Sequence, residues 1–232
     1  MIHIEIWSDV VCPFCYIGKR RLEKALSNFP HRDAVQIEWK SFLLDPETVT
    51  SPETSITQHL ADKKGWTLDY AREMNAYVTE MAAGEGLAYH FDKVCVANSI
   101  NAHRLLQYAK RLQKGDAMKE ALLSAYFIEG KNIDDVDTLV QLAASLGINA
   151  AEAAQLLQDE APFRTQVFAD VREANQLGLR GVPFFVFNRT YGISGAQAVE
   201  HFTTVLEKAY TESLSKETEA VSGDSCSTED KC

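Results

Sequence analysis

The sequence predicts an α/β fold whose strands come from the two ends of the chain, with a large all-helical segment inserted between them. Three observations predict it. A strand, a helix and a second strand are legible within the first 45 residues, the pattern of a βαβ unit. About 100 residues of helical periodicity follow, the size of a small domain. Strand-like segments then return as "GVPFFVFN" and "YGISG".

Taken in order, residues 2–11 alternate and end in two valines, which reads as a short buried strand. From Pro13 to Phe29, Ile17, Leu22, Ala25, Leu26 and Phe29 recur at helical spacing. Pro13 suits the first helical position, where a missing N–H costs nothing. "VQIEWKSFLL", 35–44, is rich in β-formers and predicts the second strand. Helices are predicted over 55–63, 67–83, 95–113, 116–128, 135–146 and 150–158, parted by "KKGW", "GEG", "QKGD", "EGKNIDD" and "LGINA". After Pro162 a further helix runs to Leu177 and stops at Gly178. A strand over 181–188, opened by proline, and a partner over 191–195 come next. The last helix is expected over 197–210, burying Val199, Phe202, Val205 and Leu206. Beyond Ser213 the chain is polar and acidic, which predicts a mobile tail. The expected organisation is a discontinuous α/β domain (1–50 and 160–212), an inserted helical domain (51–159) and a tail (213–232).

Composition narrows the function classes. A chain of 232 residues with 46% hydrophobic and 24% charged residues is an ordinary globular protein. Its formal charge of −10 argues against nucleic acid or anionic membrane as partners, because both require clustered Lys and Arg. The basic run Lys19, Arg20, Arg21 is expected to be a solvated helix face. No basic stretch precedes an apolar core at the start, so a cytoplasmic location is expected. That compartment keeps thiols reduced, so the five cysteines point to thiol chemistry or metal rather than to a disulfide framework.

Cys12 and Cys15 fall where the first strand hands over to the first helix. A helix start offers free N–H groups and partial positive charge, which favour thiolate over thiol. In such motifs a cysteine pKa falls to roughly 3.5–7.5. Cys15 lies one turn further along the same face, so it can resolve a mixed disulfide formed at Cys12. The competing reading, a zinc half-site, needs two more ligands. No metal is expected.

"WSDVVCPFCYIGKRRLEKAL" resembles the thioredoxin-fold superfamily, and specifically the DsbA-like oxidoreductases of the FrnE type. "NSINAHRL" (98–105), "RGVPFFVFN" (180–188) and "ISGAQ" (193–197) match in the same order, so the resemblance covers about residues 1–210. It implies a thioredoxin-like fold interrupted by a helical domain. It also implies a cis Val182–Pro183 bond, with the Val182 backbone pairing with an extended peptide or glutathione across Cys12. The expected activity is thiol–disulfide exchange on protein or small-molecule disulfides, with no bound cofactor and with glutathione as reductant or co-substrate. Phe14 departs from the Pro-His dipeptide of DsbA itself. Phenylalanine can neither donate to a thiolate nor carry charge, so Cys12 should be less acidic and its disulfide less oxidising.

Two other classes compete. Kappa-class glutathione transferases and 2-hydroxychromene-2-carboxylate isomerases look similar in layout, but usually carry serine at the position of Cys12. A non-catalytic adaptor would use the cleft without the thiols. Cys226 and Cys232 form either an auxiliary redox pair or a tail without a task. His103 and Trp7 are candidate modulators of the thiolate; His103 and Arg104 share a helix on which one residue could face the cleft, although such residues are more often structural. Trp7 and Trp39 flank the cleft or join the core, the latter being usual on strands. Cys95, expected near a helix start, reads as a small core residue.

Overall fold

The computed structural model describes residues 1–223. Its main sheet has four strands in the order β2-β1-β5-β6. β1 (Ile2–Ser8) lies parallel to β2 (Val35–Ser41), in register from Ile2 opposite Val35 to Ser8 opposite Ser41. α1 (Pro13–Ser27) connects them. β5 (Phe184–Phe187) runs antiparallel to β1 with Phe184 opposite Trp7, and β6 (Tyr191–Ser194) pairs antiparallel with β5.

Between β2 and β5 come α2 (Ile56–Lys64), α3 (Leu68–Ala83), α4 (Ile100–Arg111), α5 (Gly115–Phe127), α6 (Val136–Ser145), α7 (Ala150–Gln158) and α8 (Arg164–Gln176). Short polar residues start several of them: Thr67, Asp135 and Asn149 accept backbone N–H bonds of the first turns of α3, α6 and α7. α2 stops at Gly65, whose φ of +66° is the left-handed conformation that "KKGW" requires. α9 (Val199–Gly223) closes the described chain.

Period-two alternation divides the sheet faces. Ile2, Ile4, Ile6, Phe185 and Phe187 join a cluster with Ile17 and Leu22 of α1 and Phe202 and Leu206 of α9. Trp7 turns the other way and packs with Ala174 of α8, Leu179, Val182 and Phe184. The larger cluster continues through Leu105, Leu122 and Tyr126, so one apolar core links sheet and helices.

Several boundaries differ from expectation. β1 ends at Ser8, because Asp9 turns the chain and its carboxylate accepts the Val11 N–H. β2 ends at Ser41, and the Leu44 N–H is drawn to the same carboxylate. The helix expected from 95 begins at Ile100: Cys95–Val96 instead form a strand, β4, paired antiparallel with β3 (Ser51–Ser55). The Asn98 side chain accepts the Ile100 N–H ahead of the N-cap residue Ser99, so the helix start is fixed after the apolar "VCV" run. The last helix passes residue 210 and reaches Gly223, so helix continues beyond 213, where the tail was expected to begin. Lack of core formers does not prevent helix, and Glu, Lys and Ala are good helix formers. Cys226 and Cys232 lie outside the described residues.

Candidate active site

Cys12 is the N-cap residue of α1, in extended conformation, with Pro13 as the first helical residue. No side chain caps this end, and the Cys15 N–H reaches back to the Cys12 carbonyl. The start of the helix is pinned by Tyr89, whose hydroxyl donates to the Pro13 carbonyl at 2.7 Å. From the other side comes the loop before β5. The Val182–Pro183 bond is cis, and the Cys12 thiol donates to the Val182 carbonyl at 3.4 Å. Gly18 permits the approach: a Cβ there would lie 3.0 Å from Cγ of Pro183 and 3.1 Å from Cζ of Phe185.

Access separates the two thiols. Both are buried, and the cavity beside them makes the difference. Cys12 lines a mainly apolar cavity of about 350 Å³, whereas Cys15 is absent from its walls. Phe14, Leu60, Trp66, Met74 and Phe91 are among the walls, with Gly181 and Val182 at one side. A polar hollow of about 470 Å³, lined by Thr48, Asn98, Asp134 and Arg164, holds no thiol.

Beneath the thiols lies a buried polar cluster from three elements. The Asp9 carboxylate sits 3.2 Å from Nε2 of His103 on α4 and accepts the Leu44 N–H at 2.7 Å. A carboxylate can only accept, so Nε2 carries the proton. Burial pushes the Asp9 carboxyl up, but His103, the Leu44 N–H and Ser99 outweigh it and leave it below its usual value. Burial lowers His103 despite the pull of Asp9, so the imidazole is neutral. Lys119 of α5 is fully buried, with Nζ 3.5 Å from the Ser8 carbonyl and 5.6 Å from the Trp39 ring centre.

The two sulfurs titrate as one pair. Burial opposes ionisation of Cys15, but the hydrogen bond with Cys12, the charge of Lys119 and the Ser8 hydroxyl bring it below the ordinary thiol value. The bond to Cys15 and burial then hold Cys12 well above that value. The pair thus releases one proton readily and keeps the second. Within the singly charged pair, only Cys12 faces the cavity.

The other predicted residues divide. Phe14 is half-buried on the cavity wall. Trp7 does not flank the cleft; it is buried behind Val182, and its indole N–H donates to the Asp170 carbonyl at 3.1 Å. Trp39 is buried, with its N–H 2.9 Å from an Asp116 carboxylate oxygen. Arg104 ties down carbonyls of Leu156, Asp159 and Pro162, a structural task. Cys95 is buried in β4. Lys19, Arg20 and Arg21 are not a solvated face: Lys19 is 3% exposed, it and Arg20 bind Glu120 of α5, and Arg21 binds Glu85. The correction has a plain cause, since α5 and the end of α3 bring carboxylates over that face. Among the described residues no group of three or more His, Cys, Asp or Glu could hold a metal.

Sequence reading assigned no role to Asp9, Lys119 or Tyr89. For Lys119 a signal existed. It shares a face with Leu122, Leu123 and Tyr126 at helical spacing, and lysine on a buried stripe is out of pattern.

A DSBA-like thioredoxin domain matches residues 3–207. A probable DsbA oxidoreductase from Streptomyces coelicolor is similar with a TM-score of 0.85 and 37% identity, over 100% of this chain and 94% of that one. The Bacillus subtilis protein YwbO is 29% identical over 227 residues, 93% of this chain and 98% of its own. The cytosolic disulfide reductase DsbM from Pseudomonas aeruginosa shares the fold at 19% identity and a TM-score of 0.65, over 90% of this chain and 98% of that one. With its cysteine pair at the start of α1 facing a cis proline, the chain belongs to the DSBA-like thioredoxin domain family and has a thioredoxin-like DsbA fold.

Proposed function

We propose that the chain is a thiol–disulfide oxidoreductase acting through the Cys12-Pro-Phe-Cys15 dithiol. The observation that carries this reading is the difference in access between two adjacent thiols at one helix start: Cys12 opens onto the cavity, while Cys15 is hidden one turn behind. Cys12 passes its proton to the Cys15 sulfur, with which it shares a hydrogen bond, and as thiolate attacks one sulfur of a substrate disulfide R–S–S–R′. The Cys12–S–S–R bond forms, the substrate S–S bond breaks, and R′–S⁻ leaves and takes up a proton. Cys15 then attacks the Cys12 sulfur and releases R–S⁻, which is protonated in turn. Two electrons pass to the substrate, and the chain ends with a Cys12–Cys15 disulfide. Two equivalents of a small thiol such as glutathione return it to the dithiol. Isomerisation uses the first step and its reversal alone.

The Val182 carbonyl beside Cys12 offers the edge on which an extended substrate backbone docks, and the apolar cavity takes the group next to the substrate sulfur. Substrates are disulfides of proteins or small molecules, and the site of action is the cytoplasm. Among the described residues no helix is long and apolar enough to cross a membrane.

Phe14 sets the direction. With no donor or charge between the cysteines, the disulfide is less oxidising than that of DsbA, at roughly −120 mV. A potential measured against glutathione should fall below that figure, and a value equal to it would remove the preference for reduction.

Insulin reduction and scrambled-ribonuclease refolding test the reading with wild type, Cys12→Ala and Cys15→Ala. Cys12→Ala should abolish both, and Cys15→Ala should impair reduction more than isomerisation. Activity surviving Cys12→Ala in both assays overturns it. Glutathione conjugation that persists in Cys15→Ala, without insulin reduction in wild type, would favour a kappa-class type of transferase instead.

A further inference from the structure

We infer that the helical segment contributes a positioning residue to the redox site: Lys119 of α5 is the buried cation that holds the negative charge of the Cys12–Cys15 pair, and Asp9 opposes it. The inference rests on the dithiol reading above and deepens it.

Lysine is almost never fully buried unless paired. Lys119 is fully buried, and among the described residues its ammonium meets no carboxylate within salt-bridge distance. Among the described residues its oxygen partner is the Ser8 carbonyl, 3.5 Å away, at the limit of a hydrogen bond. A purely structural link between α5 and β1 would need neither a charge nor so long a bond. Burial destabilises the ammonium, and the charges that offset this are those of Cys15, Asp9 and Cys12. Asp9 already accepts N–H bonds from His103, Leu44 and Val11. Lys119 and the Cys15 sulfur also converge on one residue, Ser8, the lysine at its carbonyl and the sulfur at its hydroxyl, and this places the sulfurs as the anion that Lys119 serves.

The role falls on resolution. Cys15 must shed its proton as its sulfur bonds to Cys12 and the Cys12–S–R bond breaks, and that proton ends on the departing thiolate. With Cys15 walled off from the cavity, its transient thiolate has no water to solvate it, and Lys119 stands in for solvent. The other titratable groups facing this cluster are Lys19 of α1, His103 of α4, Tyr126 of α5, Asp170 of α8, and Tyr89. Substitution at Lys119 removes none of them.

The test is the thiolate absorbance of the reduced full-length chain, titrated with pH, in wild type, Lys119→Met, Lys119→Gln and Asp9→Asn, with folding checked by circular dichroism. Loss of Lys119 should raise the first midpoint by about 1 unit or more, and Asp9→Asn should lower it. Resolution of a preformed Cys12 mixed disulfide should slow at least tenfold in the lysine variants, and should recover as pH is raised. A structural role predicts no shift of opposite sign in the two kinds of variant. An unchanged midpoint in a folded lysine variant overturns the inference. Should neither lysine variant fold, Asp9→Asn decides: a midpoint that does not fall overturns it. A wild type inert toward insulin would end the oxidoreductase reading while leaving these midpoints readable.

Discussion

Lys119 and Glu120 are neighbours on α5, and their surroundings are opposites. Glu120 accepts from the Tyr16 hydroxyl at 2.5 Å, from Lys19 at 2.9 Å and from the Arg20 guanidinium. Glu23 adds a second carboxylate to the same two cations. Every charge in this outer network has a partner, and the network straps α1 to α5. Lys119, one residue back, has a long bond to a carbonyl, the face of Trp39 and two sulfurs nearby. Paired charges hold helices together and have little left to offer a substrate. A charge buried without a carboxylate is a liability for stability that makes sense beside a group which becomes an anion during turnover.

Glu120→Ala should give the largest stability effect, because it strips a carboxylate from the nearly buried Lys19 and from Arg20. We expect a loss of about 2–3 kcal/mol in denaturant titration. A loss below about 0.5 kcal/mol would mean that the network behaves like a surface one. Acid should reveal the same network. Burial alone would raise the Glu120 carboxyl, but hydrogen bonds from Arg20, Lys19 and Tyr16 bring it down to about 2. Its folded value lies below its unfolded one, so its contribution is complete above pH 4.5 and drains as pH falls toward 2. After solvent screening this amounts to about 2 kcal/mol, and Glu120→Gln should flatten the stability profile in that window.

Lys119→Met sharpens the contrast from the other side. Replacing an unpaired buried cation by an apolar side chain should leave stability unchanged or raise it by about 1 kcal/mol, measured by thermal melting. A loss above about 3 kcal/mol would expose a partner that Lys119 shares with the outer network. The smallest effect belongs to Arg72→Ala. The Arg72–Asp69 pair is exposed on both sides, and removing it should cost less than about 0.5 kcal/mol.

Local patterns carried much of this protein. The alternation of residues 2–8, the proline at the start of α1, and the returns to strand at Phe184 and Tyr191 are legible because each depends on neighbours in the chain. The same locality explains the errors. "VCV" at 94–96 sits next to a helical stretch, and only pairing with Ser51–Ser55, some forty residues away, makes part of it a strand. Lys19, Arg20 and Arg21 look solvated until Glu120 arrives from α5 and Glu85 from the turn after α3. Arg104 stands in a motif beside His103, yet it ties carbonyls while His103 meets Asp9.

The sequence by itself determined the α/β pattern, the helical stretch between its strands and the cysteine pair at a helix start, because turn chemistry and periodicity act over a few residues. The order of the two thiols and the place of Val182 across Cys12 were expected from the motif and the family resemblance. Only the tertiary structure supplied the apolar cavity that Cys12 lines and the contact of its thiol with the Val182 carbonyl, 170 residues away. It also decided that Asp9 meets His103 and that Lys119 is buried against the Ser8 carbonyl. Burial and Coulomb interactions depend on separation in space, and a chain that folds back on itself makes separation in space independent of separation in sequence.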